Sequence, residues 1–184
     1  MLRNLLILVL IFNCFFCFSQ NKKTLIKEGN SLYNDSSYNM AEMKYRKSLE
    51  KDQDYFNAAF NLADAIYKQN RFEESTSLFD ALKDNARNNE DLARINHNLG
   101  NSYLKENKLE QAIEEYKSSL RLNPNDEETR YNLAYAQKMK QQQDQQQDQQ
   151  DKQEDQQDQQ QDKQQDQQQH QQQDQQQDQQ QDQQ

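Results

Sequence analysis

The 184-residue chain holds only two glycines, Gly29 and Gly100, and both sit at the same place in the same phrase. "KEGNSLYNDSSYNMAEMKYRKSLEKDQD" and "HNLGNSYLKENKLEQAIEEYKSSLRLNPND" are two versions of one unit. A unit of this length can form a helical hairpin but cannot bury its own apolar face. Copies must therefore stack so that each hairpin closes on the next, and function is to be sought on the surface of the stack.

Setting the small residue of the phrase at the eighth position of a 34-residue unit aligns Gly29, Ala63, Gly100 and Ala134, in steps of 34, 37 and 34 residues. A three-residue insertion thus separates the second and third units. Twelve positions on, the register gives Ala41, Ser75 and Ala112, small residues where two helices of a hairpin cross and a large side chain would hold them apart. Tyr45, Phe79 and Tyr116 follow four residues later, and Tyr38, Phe72 and Leu109 lie three earlier. The small set is expected to pack and the large set to fill the space it leaves.

The pattern resembles the tetratricopeptide repeat across residues 22 to 140. The third unit carries it most fully, with Leu99, Gly100, Tyr103, Ala112, Tyr116, Leu120 and Pro124 on family positions. Departures are the absence of any tryptophan, Gln53 where a unit-ending proline is usual, and the longer "FDALKDNARNNED" of the second unit. The resemblance implies an all-α fold: an α-solenoid of about three helical hairpins, over 22–55, 56–92 and 93–126, plus a C-terminal capping helix over 127–140. Helices are expected near 22–34, 37–51, 55–69, 71–86, 90–105, 108–122 and 126–140. Asn70 and Asn107 fall in the turns within units two and three, where the backbone needs a left-handed residue and asparagine tolerates one. Leu133 and Ala134 are expected to cover the last hairpin, and Tyr131 and Tyr135 to add to that cover.

Two flanks differ in composition from the repeats. Residues 1–19 read as an export signal: Arg3 precedes the apolar "LLILVLIFNCFFCF", which Asn13 interrupts and which is short for a membrane span. Cleavage is expected after Ser19, leaving Gln20 as the first residue, with an uncleaved membrane anchor as the alternative. Both cysteines, Cys14 and Cys17, lie in that segment, so a cleaved chain has no thiol for a disulfide or a metal. Residues 141–184 contain 30 glutamines among 44 residues and no aliphatic or aromatic side chain. Such a segment cannot bury enough to offset its ordering entropy, so a disordered or weakly helical, solvated Gln/Asp-rich tail is expected. Residues 1–140 balance at 20 basic and 20 acidic residues, whereas the tail holds 2 against 11 and carries the whole net charge of −9. Neither part suits nucleic acid.

Catalytic patterns are not found. His97 and His170 are the two histidines, too far apart in sequence for a paired-histidine metal motif, and there is no phosphate loop, dinucleotide fingerprint or nucleophile elbow. Glu114 and Glu115 fall on a helix face that the register turns outward. No enzyme activity, cofactor or metal is therefore expected.

What remains is the surface of the stack. In the family that the chain resembles, the first helix of each unit lines a concave face whose sixth and ninth positions contact an extended peptide. Here the sixth positions are Asn61, Asn98 and Asn132 and the ninth are Asn30 and Asn101. An asparagine can both donate to and accept from a peptide backbone. Asn30, Asn61 and Arg94 also fall on positions of the clamp by which some chaperone-associated repeats hold a C-terminal carboxylate, whereas Ile26 and Asn98 replace two of its basic residues. An expected peptide groove is thus formed by Asn30, Asn61, Arg94, Asn98, Asn101 and Asn132. The common occurrence of asparagine at the sixth position for packing alone remains the competing explanation. "NPNDEETRYNLAYAQK" running into a glutamine-rich stretch, behind an export signal and about three repeats, resembles the BatC-type proteins of Bacteroidetes aerotolerance operons. That resemblance implies an adaptor in a bacterial envelope complex, periplasmic or at the outer face of the inner membrane, with membrane-anchored von Willebrand A-domain proteins as partners. A membrane-anchored spacer and a carboxylate-tail-binding module are the alternatives.

Overall fold

The computed structural model describes residues 21–151. The expected export signal with its cut after Ser19, His170 and the tail beyond 151 lie outside the described residues. Helices α1 (Lys22–Asn34) and α2 (Tyr38–Lys51) form the first hairpin, α3 (Phe56–Lys68) and α4 (Phe72–Leu82) the second, and α5 (Asn89–Lys105) and α6 (Leu109–Leu122) the third. A seventh helix, α7, starts at 127 and closes the repeat unit, which ends at 137. Each helix packs on the next, and the first helices of successive hairpins, α1 with α3 and α3 with α5, also touch.

Local chemistry sets the boundaries. Asn21 and Asn88 cap α1 and α5 by accepting from Lys23 N at 3.2 Å and Asp91 N at 2.8 Å, and the Asp126 carboxylate accepts from Thr129 N at 3.0 Å ahead of α7. The turns within the three hairpins place Ser36, Asn70 and Asn107 at φ of 58°, 62° and 58°. The two asparagines are where the register expects them; Ser36, their counterpart in unit one, takes the same left-handed conformation without asparagine's preference for it. The helix expected over 71–86 stops earlier, at Leu82, and the three residues Lys83–Asn85 form a 3₁₀ turn before the extended Ala86. That turn absorbs the three-residue insertion.

Packing explains why the eighth position is small. A Cβ built on Gly29 would lie 2.5 Å from the Tyr45 ring, and one on Gly100 2.5 Å from the Tyr116 ring. The eighth position thus faces the second helix of its own hairpin. Ala41, Ser75 and Ala112 are fully buried at the crossing, where the Ser75 hydroxyl donates to Ala63 O at 3.0 Å and meets Ser102 of the following hairpin at 3.4 Å. Positions three and ten of each first helix instead face the preceding hairpin: Ala58 and Ala65, Ile95 and Ser102, and Thr129 and Ala136 are all fully buried. Their counterparts in α1, Thr24 and Ser31, meet no preceding hairpin among the described residues and are exposed.

This geometry corrects one expectation. Ala134 is exposed, because it occupies the eighth position of a helix that has no hairpin partner within the repeat unit. Thr129 and Ala136, with partly buried Leu133, cover the third hairpin. Tyr131 and Tyr135 do not: they are 72% and 48% exposed.

Polar pins join adjacent hairpins. Glu42, 9% exposed, accepts from Gln69 at 2.8 Å, Arg71 at 2.6 Å and Arg46 at 2.9 Å. One repeat on, the carboxylate moves to the other side of the joint: Thr76 donates to Glu106 at 2.5 Å, and Lys108 pairs with Glu106 at 2.7 Å. Buried Asp91 accepts from Arg87 at 2.7 Å.

The remaining described residues, 138–151, belong to a separate unit. They are helical, exposed from 141 onward, and include a Lys140–Asp144 ion pair at 2.5 Å. Among the described residues no helix is long and apolar enough to cross a membrane.

Two outcomes follow from this packing. Gly→Ala within an open helix usually stabilises by about 0.5–1 kcal/mol, but at Gly100 overpacking against Tyr116 costs about 1–3 kcal/mol. Gly100→Ala should therefore lower stability in urea titrations, and a Tyr116→Ala background should reverse the sign; Ala134→Leu should be close to neutral. Second, burial raises the Glu42 carboxyl, but the bonds from Gln69, Arg46 and Arg71 outweigh it and hold it below the ordinary value, while Arg87 lowers Asp91. Depressed carboxyls stabilise at neutral pH and lose that contribution as pH falls through the folded pKa. The melting temperature should drop between about pH 5 and about pH 3, and the gap between wild type and Glu42→Gln should be widest at neutral pH and narrow in acid.

Candidate functional site

The first helices α1, α3, α5 and α7 line one face with two adjoining hollows. One, of about 260 Å³, is formed by Asn30, Tyr33, Asn34, Asn61 and Asp64 with Tyr45 behind them. The other, of about 420 Å³, is walled by Tyr67, Lys68, Lys105, Tyr131 and Tyr135, with Asn101 and Asn132 at its base.

The asparagines singled out by the register mostly bond to one another. Tyr45 donates its hydroxyl to Asn30 Oδ1 at 2.8 Å, and Asn61 Nδ2 donates to the same oxygen at 2.9 Å. The arrangement recurs two units later, in unit three: Tyr116 donates to Asn101 Oδ1 at 2.7 Å, and Asn132 Nδ2 donates there at 3.0 Å. Each clasp joins a second helix to its own first helix and to the first helix of the next unit. Asn98 is outside it, donating to Arg94 O at 2.9 Å. Arg94 lays its guanidinium 4.3 Å from the centre of the Phe60 ring and 3.9 Å from Asp91. Ile26 is in the core of the first hairpin. The five clamp positions therefore present an internal Asn30–Asn61 bond, a stacked arginine, a backbone-bonded asparagine and a buried isoleucine.

The second unit lacks the clasp. Phe79 stands where Tyr45 and Tyr116 stand, so no hydroxyl reaches the ninth position, and that position is Asp64. The Tyr33 hydroxyl faces the Asp64 carboxylate; burial first, then this contact, push the Tyr33 phenol well above the ordinary tyrosine value. Burial, with the same carboxylate nearby, also raises Tyr45 to about 12 and raises Tyr67.

His97 forms a second network that the register did not reveal. Asn101 Nδ2 donates to His97 Nε2 at 2.9 Å, which leaves the Nδ1 proton for Thr129 Oγ1 at 2.6 Å, and Thr129 donates to Asp126 at 2.7 Å. This chain ties α7 to α5. Among the described residues no three His, Cys, Asp or Glu side chains converge on a metal position. Glu115 corrects an expectation: it is largely covered and accepts from Lys83 at 2.7 Å, across the joint between hairpins, whereas Glu114 is exposed and pairs with Lys117 at 2.8 Å.

Sequence reasoning missed Asp64, Tyr33, Tyr67, Lys68 and Lys105. The signal for the tyrosines and lysines lies in the twelfth position, Tyr33 and Tyr67, and the thirteenth, Lys68 and Lys105, whereas Asp64 stands at the ninth position in place of the asparagine of units one and three.

The clasp makes a stability prediction. Asn30→Ala strands the buried Tyr45 hydroxyl and should cost about 1–3 kcal/mol, whereas Asn98→Ala should stay within about 0.5 kcal/mol. Chemical denaturation of both variants and of Asn30→Ala/Tyr45→Phe, in which much of the loss should be recovered, checks the assignment.

Residues 26–90 match a tetratricopeptide repeat profile and residues 100–141 a TPR repeat profile. No curated protein sequence matches the chain. Among solved structures, the first TPR of Spaghetti (RPAP3) bound to the HSP90 peptide SRMEEVD superposes with a TM-score of 0.61 at 23% identity, covering 66% of this chain and 94% of that one. MamA from Desulfovibrio magneticus RS-1 gives 0.61 at 22% identity, over 65% and 66%. The TPR2AB-domain:pHSP90 complex of yeast Sti1 gives 0.61 at 22%, over 67% and 48%. At these identities the likeness concerns the fold.

Proposed function

Because the chain belongs to the tetratricopeptide repeat family, a protein-interaction scaffold of a kind that is typically non-catalytic, we propose that it is an adaptor whose first-helix face binds an extended segment of a partner protein. One observation carries the reading: that face exposes Tyr131 and Tyr135, large apolar rings with no packing duty, beside hydrogen-bonding side chains at the floor of an open groove. Exposed tyrosines next to polar groups offer contact area at low entropic cost. The peptide complex of the RPAP3 repeats supports a peptide segment as the ligand.

The five-position carboxylate clamp is the weaker variant of this reading, since Asn30 and Asn61 are bonded to each other and Arg94 is stacked on Phe60. We also propose export to the bacterial envelope, supported by Arg3 and the apolar run that follows it. The BatC-like layout supports a membrane-anchored von Willebrand A-domain protein as the partner. Protein recovered from the envelope fraction should begin at Gln20; a cytoplasmic protein that begins at Met1 overturns the export proposal.

Site-specific photocrosslinking tests the groove. A crosslinker at Tyr131 or Asn34 should trap partner protein in cells, whereas one at Met43 or Glu114, which are also exposed, should not. Trapping from Met43 and Glu114 alone moves the interaction off this face.

A further inference from the structure

The two hollows differ in charge, and the difference originates in the second unit. In units one and three the ninth position is an asparagine whose oxygen is occupied by a tyrosine hydroxyl and by the next unit's asparagine. In unit two the tyrosine has become Phe79, the glycine beneath it Ala63, and the asparagine Asp64. The loss of the hydroxyl releases the ninth position from the clasp and turns it into a carboxylate that lines the open hollow. Among the described residues no lysine, arginine or histidine forms an ion pair with Asp64; the Tyr33 hydroxyl donates to it, and its other neighbours are Tyr45, Tyr67, Asn34 and Asn61. A carboxylate that forms no ion pair, in an open hollow lined by phenol hydroxyls and side-chain amides, can accept charge-assisted hydrogen bonds from an ammonium or guanidinium.

The adjoining hollow has the opposite sign. Lys68 follows Asp64 by one helical turn, and Lys105 occupies the same thirteenth position on α5. Both are exposed, and neither forms an ion pair among the described residues. Glu128, itself 77% exposed, sits on the same rim and 3.7 Å from His97.

We propose that the groove selects an extended partner segment carrying a lysine or arginine, which enters the Asp64 hollow, and an aspartate or glutamate, which meets Lys68 and Lys105. Neighbouring first helices pack about 10 Å apart and an extended chain advances about 3.3 Å per residue, so the two charges lie about three residues apart. The pairing fixes the register of the bound segment. This inference rests on the groove reading above and adds the chemistry of the ligand.

Selection of a random decapeptide display library against the full chain tests it. Enriched peptides should share a basic and an acidic residue about three positions apart, and a synthetic copy should bind about tenfold more weakly to Asp64→Asn, with the loss shrinking at high salt. Asp64→Glu keeps the charge and should keep most of the affinity, and unchanged melting of both variants shows that the fold is intact. Selection with Lys68→Gln/Lys105→Gln should lose the acidic preference and retain the basic one. Peptides that compete at Tyr131 but carry no basic residue, or that bind Asp64→Asn as well as wild type, overturn the charge assignment while leaving the groove in place. Enrichment only of peptides insensitive to Tyr131→Ala overturns the groove reading and this inference with it.

Discussion

The contact between a glycine and a tyrosine ring is the one on which the rest of the array depends. With no side chain at Gly29 or Gly100, the two helices of a hairpin approach until the ring of Tyr45 or Tyr116 lies against bare backbone. That depth carries the ring's hydroxyl through to the far face of the first helix, where it donates to Asn30 or Asn101. The same oxygen then receives the amide of the next unit's asparagine. One close approach thus sets the geometry inside a hairpin and the position of its successor. A buried hydroxyl left without an acceptor is costly, so the acceptor is as constrained as the ring.

The middle unit shows how coupled these positions are. Phe79 replaces the tyrosine, and in the same unit the eighth position is alanine, the ninth is aspartate, and Leu82 stands where Ser48 and Ser119 donate to backbone carbonyls in the other two. Apolar packing through Phe60, Phe79, Leu82 and Ile95 takes over the joint. The polar capacity of the ninth position, no longer required inside, is turned to the groove as Asp64. A structural substitution at one layer of the fold thereby produces a chemical feature at another.

The ends of the array follow from the same division of labour. Positions three and ten face backwards and position eight faces the partner helix, so the first helix leaves Thr24 and Ser31 in water and the seventh leaves Ala134 there. Polar residues at the start of the array and a small one at its end avoid a large exposed apolar patch. The His97–Thr129–Asp126 chain supplements the thin apolar contact of α7 with directed bonds.

The sequence alone determined the repeat period, the three hairpins and capping helix, and the recurrence of small residues at the helix crossings with large ones beside them. These depend on spacing and side-chain size, which recur at a fixed interval and can be read off a line of text. That Gly29 and Gly100 lie against the rings of Tyr45 and Tyr116 came from the structure. The sequence also showed the insertion, though not that Lys83–Asn85 would absorb it as a 3₁₀ turn. Only the tertiary structure decided what the asparagines do, because an amide suits a partner's backbone and a neighbour's hydroxyl equally well, and the choice depends on which atoms lie within 3 Å. It likewise decided that Ala134 faces water while Thr129 and Ala136 are covered, since burial at a given register position depends on whether a hairpin exists on that side. The opposed charges of Asp64 and Lys105 are 41 residues apart in the chain. They line adjoining hollows because stacking brings the same face of successive first helices together.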